Sequence, residues 1–523
     1  PWVDFGLLDD PHGEFFVRRT RPRQVDDHPT MGAFAVVDET NSTNNKNATN
    51  EKNDKDHGWS ALFQVDSDAV PRLFRAFDAD ALLVGKTQYF RSKIQSLSSG
   101  TTQWPDIIAS IRQERAMDEP LLTTFDRIMR PNMERLSVSS SSLMMELLTR
   151  DFDLGKHLER AREVYMLSNI DMMETFINSV FDRIGRRRDD GRSKKINNMG
   201  GGIGGIRGDD DAAVTYWLRR AMATHGSRVR SRSNGSTTTT TTTTTAEKDE
   251  ELGRWTASFE VVSDLNLYGV ATVGALNGLE VQYLAPWPIN IVLDREALSS
   301  YNKILRWLLQ VKRCKFQLDE CHSNLRRVSR SVQKGRGELL YRDSNVLRRL
   351  HQCSMVISEF LHFVNNVHTY MMDRAVRTEW SHFRHDVDAA SSSSMSLDDV
   401  RNRHMVLLRS ITEQCLLHER SKVAKQQVVK VLNFAHRAVH AIQLYYRRAT
   451  EIVEFTSERD IVDRMLESSM ETIIDVHGNF KRTVRFLLVL MKSHVRNSHG
   501  ASLFMSSILT TIDFSDYYSR RRR

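Results

Sequence analysis

The chain has 523 residues, with 74 Lys and Arg against 66 Asp and Glu, a net charge of +8, and only 10 prolines and 4 cysteines. So little proline favours helices over an all-β fold, which needs turns at short spacing, and no apolar run reaches the ~18 residues of a membrane span. The length corresponds to roughly three or four domain-sized units. The charge is uneven: residues 1–250 carry 35 basic and 37 acidic side chains, residues 251–523 carry 39 and 29. The surplus concentrates in 301–350 and 401–450, so an acidic partner for the C-terminal half is expected, against the plainer reading of solvated helix faces. Few cysteines in so long a chain point to a reducing compartment. Residue 1 is Pro, so the natural start is expected upstream.

In chain order, Asp9 to Gly13 reads as a turn and Glu14 to Val17 as a short extended or helical piece. Asn41 to His57 is a polar loop. Helical periodicity begins at Asp78 to Ile94 and continues through Leu121–Met129, Leu143–Leu158 and Glu163–Ile184. Arg186 to Glu250 breaks the pattern with an arginine triplet, a glycine run at Gly200–Gly205 and nine threonines at Thr237–Thr245. Such composition cannot bury enough surface to offset its ordering entropy, so it is expected to be a flexible linker. A short helix at Asp211–Ala223 stands inside it. Beyond residue 278 nearly everything reads as helix, with Val423–Tyr446 and Ile461–Val495 long and proline-free. Helices of that length pack side by side as bundles.

Candidate chemical motifs are weak. Gly85-Lys86-Thr87 matches the end of a phosphate-binding loop, but Asp80 stands where that loop needs glycine. The glycine run at Gly200–Gly205 lacks the strand and helix that a dinucleotide fingerprint requires. Cys314, Cys321, His322 and Cys353 are poor metal ligands, because seven helical residues separate the first two thiols by about 10 Å. No catalytic residue, cofactor or metal site is expected, and the terminal Arg520–Arg523 reads as a solvated end.

The stretch from Tyr283 to Arg313 is more specific. Tyr283-Leu284-Ala285-Pro286-Trp287-Pro288, then Leu298, Tyr301-Asn302, Leu308-Leu309 and Lys312-Arg313, resembles the signature opening the C-terminal domain of the gamma-tubulin complex proteins. Other blocks resemble that family in the same order: Leu7–Arg19, Leu82–Phe90, Val164–Ile177, Leu361–Met372 and Thr510–Ser519. Ala285, Ile289 and Ser515 depart from the family pattern. The block spacing is nearest that of the family's shortest member.

The resemblance implies an all-α, elongated scaffold of consecutive helical bundles in two domains. These are a partial N-terminal domain over 1–185 for lateral assembly contacts, the linker 186–250, and a C-terminal gamma-tubulin-binding domain over 251–523. It implies a non-enzymatic subunit that binds gamma-tubulin and neighbouring complex proteins, at a microtubule-organising centre in the cytoplasm, without nucleic acid or membrane. Residues 251–523 alone are expected to bind gamma-tubulin. The candidate partner-binding residues are Trp287, Tyr301, Arg306, Lys312, Arg313, Asn365, Asn366, Tyr370, Arg437, Arg447, Arg448, Tyr517 and Tyr518. Trp287, between two prolines of fixed φ, is expected to wedge between helices and direct the helix that follows. Plain core packing is the alternative for Trp287, Tyr301 and Tyr370. A helical vesicle-tethering subunit is the alternative function.

Overall fold

The computed structural model describes residues 15–19, 63–94 apart from 73 and 76, 121–193, 212–224, 258–263, 272–333, 344–390, 395–455, 459–497 and 502–519 apart from 515. Among them the fold is all-α with two small antiparallel sheets. The chain divides into two compact units: 1–159, 284–298 and 381–407 form the first, and 160–283, 299–380 and 408–523 the second.

In the first unit β1 (Val17–Arg19) pairs with β2 (Phe63–Val65), placing Val17 opposite Val65. Phe16, Val17, Phe63, Phe77, Met129 and Met133 close one apolar core beneath them. Helix α1 (Asp78–Ile94) packs on α2 (Leu121–Arg150). Asp78 and Asp80 sit in the first turn of α1, where carboxylates complement the helix dipole. Gly85-Lys86-Thr87 lies in the middle of α1, its backbone committed to the helix. Thr87 Oγ1 donates to Leu83 O at 2.9 Å, and buried Lys86 lies 3.7 Å from Asp398. Helix α2 is continuous through Pro131, where two shorter helices were expected.

Helix α3 (Leu154–Tyr165) and helix α4 (Ile170–Ser193) follow. One helix was expected across 163–184, but the chain breaks at Leu167, whose φ is 54°. Asn169 restarts it, its Oδ1 accepting from Met172 N at 3.2 Å, an N-cap of the usual kind. Helix α5 occupies 212–224, with Val214, Leu218, Ala221 and Met222 buried. The rest of the expected linker, 194–211 and 225–250, lies outside the described residues, as do Asn41–His57 and Arg520–Arg523.

The second unit holds the larger bundle. Strand β3 (Phe259–Ser263) pairs with β4 (Leu279–Tyr283), Val261 opposite Val281. Helix α6 (Arg295–Gln333) begins in the first unit and runs on in the second. Helix α7 (Ser344–Thr369) continues through a π-helical stretch, Tyr370–Thr378, into α8 (Glu379–Ala390). Thr378 Oγ1 donates to Asp373 O, five residues back, at 3.0 Å. Most of α8 and the first part of α9 (Leu397–Gln414) belong to the first unit; α10 (Lys422–Phe455), α11 (Arg459–Asn497) and α12 (Ser502–Ile512) complete the second. Helix α11 packs on α10 and α12, and α7 packs on all three.

This division differs from the boundary expected within 186–250. Residues 160–193 and 212–224 belong with the C-terminal bundle because their side chains are built into it. Tyr165 OH donates to Val281 O at 2.9 Å, Phe181 meets Phe316 with ring centroids 5.8 Å apart, and Arg219 Nε donates to Phe259 O at 3.2 Å.

Candidate partner-binding surfaces

The start of α6 is fixed by a carboxylate. Asp294 Oδ1 accepts from Ala297 N at 2.8 Å, capping the helix, while its Oδ2 accepts from Arg401 Nη2 at 2.6 Å and Nε at 3.0 Å. Helix α9 starts with a reciprocal cap: Asp399 N donates to Ser396 Oγ, and Ser396 N and Oγ donate to Asp399 Oδ2. Trp287 precedes this region. Its ring lies 5.0 Å from that of buried Phe90 and remains 36% exposed. The expected wedge between helices is therefore corrected: Trp287 covers Phe90 from outside, and the Asp294 cap directs α6.

Residues 301–313 are mostly internal. Tyr301 is fully buried, its ring 5.0 Å from that of Tyr165. Arg306 Nη1 donates to Asn277 O at 3.0 Å and buried Arg313 Nη1 donates to Thr272 O at 3.1 Å. Both guanidiniums thus fasten the turn at 272–277, which Asn433 Oδ1 holds from α10 by accepting from Val273 N. Lys312 is half-buried. Burial first, with Lys315 adding and Glu174 opposing, pulls its amine below the ordinary lysine range. Nearby His368 is brought down to about 4 by burial, then by Lys315 and Lys312, against Asp373.

On α7, Asn365 Oδ1 is buried without a hydrogen bond, and Asn366 Nδ2 donates to Thr511 O at 3.2 Å. Tyr370 is buried in the π-helical stretch and its hydroxyl has no hydrogen-bond partner among the described residues. Burial, with Cys415 and Glu379, raises its phenol above the ordinary range. At the C-terminal end Tyr518 is buried, its amide donating to Asp513 Oδ1 at 2.9 Å. Tyr517 is 48% exposed and donates its hydroxyl to Glu359 Oε1 at 3.0 Å. Glu359 also meets His477 at 2.8 Å and Lys481 at 3.3 Å. Burial works to raise the Glu359 pKa, but the bond from His477, with Tyr517 and Lys481, outweighs it and lowers the carboxyl.

Of the thirteen candidates, Tyr301, Arg313, Tyr370 and Tyr518 are thus enclosed by their own chain and offer no free side chain to a partner in this conformation. Trp287, Arg437 and Tyr517 are exposed, and Arg306, Lys312, Asn365 and Asn366 are intermediate. Arg447 and Arg448 lie on α10 with side chains outside the described residues. The Glu359 cluster and the Asp294–Arg401 pair went unread in the sequence. Asp294 had a local signal, a carboxylate directly before a periodic helix; Glu359 had none, since its partners are more than a hundred residues away. The four cysteines are buried, and burial raises every thiol, those of Cys321, Cys353 and Cys415 to about 12. Among the described residues no group of three or more His, Cys, Asp or Glu could hold a metal ion, and no helix is long and apolar enough to cross a membrane.

Among the described residues the second unit is thus a helical bundle built around a two-stranded sheet, with Arg437 and Tyr517 among its exposed side chains. The chain belongs to the gamma-tubulin complex component family: the family model "Gamma tubulin complex component C-terminal" matches residues 154–518. Gamma-tubulin complex component 5 of Macaca fascicularis is 25% identical over 337 residues, covering 62% of this chain and 40% of that protein. Spindle pole body component alp4 of Schizosaccharomyces pombe is 21% identical over 465 residues, 83% of this chain and 53% of that protein. Gamma-tubulin complex component 3 of Homo sapiens is 26% identical over 174 residues, 33% of this chain and 18% of that protein. The chain spans about half or less of the length of these curated relatives.

Proposed function

We propose that the chain is a non-catalytic scaffold subunit of a gamma-tubulin complex. In this reading residues 160–523 carry the gamma-tubulin-binding surface, and the N-terminal part makes lateral contacts with neighbouring complex components. A set of such subunits would present gamma-tubulin as a template for microtubule nucleation at a microtubule-organising centre, a centrosome or spindle pole. The observation that carries the reading is the family match over 154–518, which begins at α3 and so spans the whole bundle. The block spacing favours a subtype near the shortest member, gamma-tubulin complex component four.

The non-catalytic part of the reading has its own support. Lys86, the one residue that could have touched a nucleotide in a phosphate loop, is buried on a helix beside Asp398. Any guanine nucleotide in the complex should then belong to gamma-tubulin. The experiment is gel filtration of the purified chain with purified gamma-tubulin, read for co-elution and for nucleotide turnover. Failure of the folded chain to co-elute, or turnover abolished by Lys86→Ala, would count against it.

A further inference from the structure

Helix α11 uses one face inside the chain and leaves the other exposed among the described residues. Val476, Phe480, Val484 and Leu487 are buried, whereas Ile474, Phe486 and Val489 are 58%, 52% and 66% exposed. At 3.6 residues per turn, Ile474, Arg482, Arg485, Phe486, Val489 and Arg496 fall on a single stripe about 33 Å long. The stripe is electrically polarised. Glu471 and Asp475 are exposed at its N-terminal end, and Arg482, Arg485, Lys492 and Arg496 are exposed beyond them. From Val476 to Ile512 the sequence contains no Asp or Glu at all.

A second observation comes from Gly478, between Ile474 and Arg482 on the same stripe. Glycine inside a helix is less stable than alanine. A Cβ at Gly478 would meet, outside the helix's own backbone, only Arg482 Nη2 at 3.8 Å. The chain's own packing therefore does not call for glycine there. Its missing side chain leaves room for the backbone of another molecule to approach closely.

We propose that the outward face of α11 from Ile474 to Arg496 docks an amphipathic helix of a partner protein. That helix has an apolar ridge, and carboxylates flank the ridge at the end meeting Arg482, Arg485 and Arg496. A protein helix fits better than nucleic acid or an anionic bilayer: the apolar side chains form a narrow line, and Glu471 and Asp475 repel phosphate. A second copy fits less well, because antiparallel pairing sets Arg485 against Arg485 at the centre of the stripe; self-association in place of peptide binding would overturn the proposal. The proposal goes beyond gamma-tubulin binding and does not depend on it.

The test uses the whole chain and a fluorescein-labelled helical peptide of about 21 residues, with leucines at helical spacing, glutamates flanking one end and lysines the other. Saturable binding is expected, reduced at least about tenfold by Phe486→Asp with Val489→Asp, and likewise by Arg482→Glu with Arg485→Glu. These side chains are exposed, so circular dichroism should be unchanged. Gly478→Ala should raise the melting temperature and yet weaken the peptide severalfold, a combination that a fold defect cannot produce. The proposal is overturned if the wild-type chain does not bind, or if a scrambled peptide of the same composition binds equally. It is also overturned if the variants bind undiminished, or if phosphatidylserine vesicles or duplex DNA bind more tightly than the peptide.

Discussion

Asn302 grips Val281 by both backbone polar groups: Val281 N donates to Asn302 Oδ1 at 2.9 Å, and Asn302 Nδ2 donates to Val281 O at 2.9 Å. Thr215 does the same for Val261, directly opposite in the register, accepting from its N–H at 2.9 Å and donating to its carbonyl at 3.2 Å. A two-stranded sheet exposes two edges and is marginal alone. Here the outward groups of its central pair are met by one side chain on each side, so the sheet survives within a helical unit and ties α5 and α6 together.

Asn302→Ala should therefore destabilise the second unit by about 1–3 kcal/mol. Each buried group left unmet costs roughly 1–3 kcal/mol, and Tyr165 OH still reaches the carbonyl. Asn302→Asp should not rescue it, because it keeps the acceptor but buries a carboxylate against the Val281 carbonyl. Urea denaturation of the two variants checks this, and unchanged midpoints would remove the clamp from the account.

Tyr370→Phe is expected to behave oppositely. It deletes a buried hydroxyl that makes no hydrogen bond, so stability should be unchanged or rise by up to about 1 kcal/mol. Gamma-tubulin affinity should also be unchanged. A large loss of affinity at full stability would return Tyr370 to the binding surface.

Much of the fold was legible because long helices repeat their signal every turn: α10 and α11 follow the periodicity of their sequences closely. Tyr301-Asn302 stood out as a block, yet its role as a paired core residue and sheet clamp needed the position of Val281. The division into units differs from the expected boundary for a related reason. Glycine and threonine runs mark a loop, but whether a loop divides domains depends on what its two ends touch, and Tyr165, Thr215 and Arg219 all touch the later sheet. A fragment starting at 251 discards them and is expected to be unstable, whereas one starting at 154 keeps them. The charge of α6 was visible too, but composition cannot distinguish an arginine that faces solvent from one that fastens a turn.

Acid should weaken the fold before any carboxylate titrates in the unfolded chain. His157, His368 and His404 are each brought down to about 4, with burial the leading cause. Their unfolded values lie near 6.5, so between pH 6.5 and 4 the unfolded chain binds more protons. Stability is complete above that window and falls through it, by up to about 1.4 kcal/mol per pH unit for each histidine. Urea midpoints at pH 7.5 and 5 measure this, and His404→Gln should flatten the slope. Equal midpoints in the parent chain would contradict it.

Charge reversal should separate surface cations from structural ones. Lys303 and Arg437 are exposed. Reversing both to Glu should slow gamma-tubulin association severalfold at low salt and little at high salt, since such charges are individually worth about 0–1 kcal/mol. Arg313→Glu should instead unfold the second unit, because its guanidinium is buried against Thr272 O. Stopped-flow association across salt, with circular dichroism, distinguishes the two classes. The assignment fails if the Lys303 and Arg437 reversals change nothing.

The most direct measurement is binding of purified gamma-tubulin to a fragment of residues 154–523, by sedimentation velocity. A one-to-one complex is expected with this fragment and none with residues 1–153. A folded 154–523 fragment that sediments apart from gamma-tubulin, or binding retained by 1–153, would contradict it.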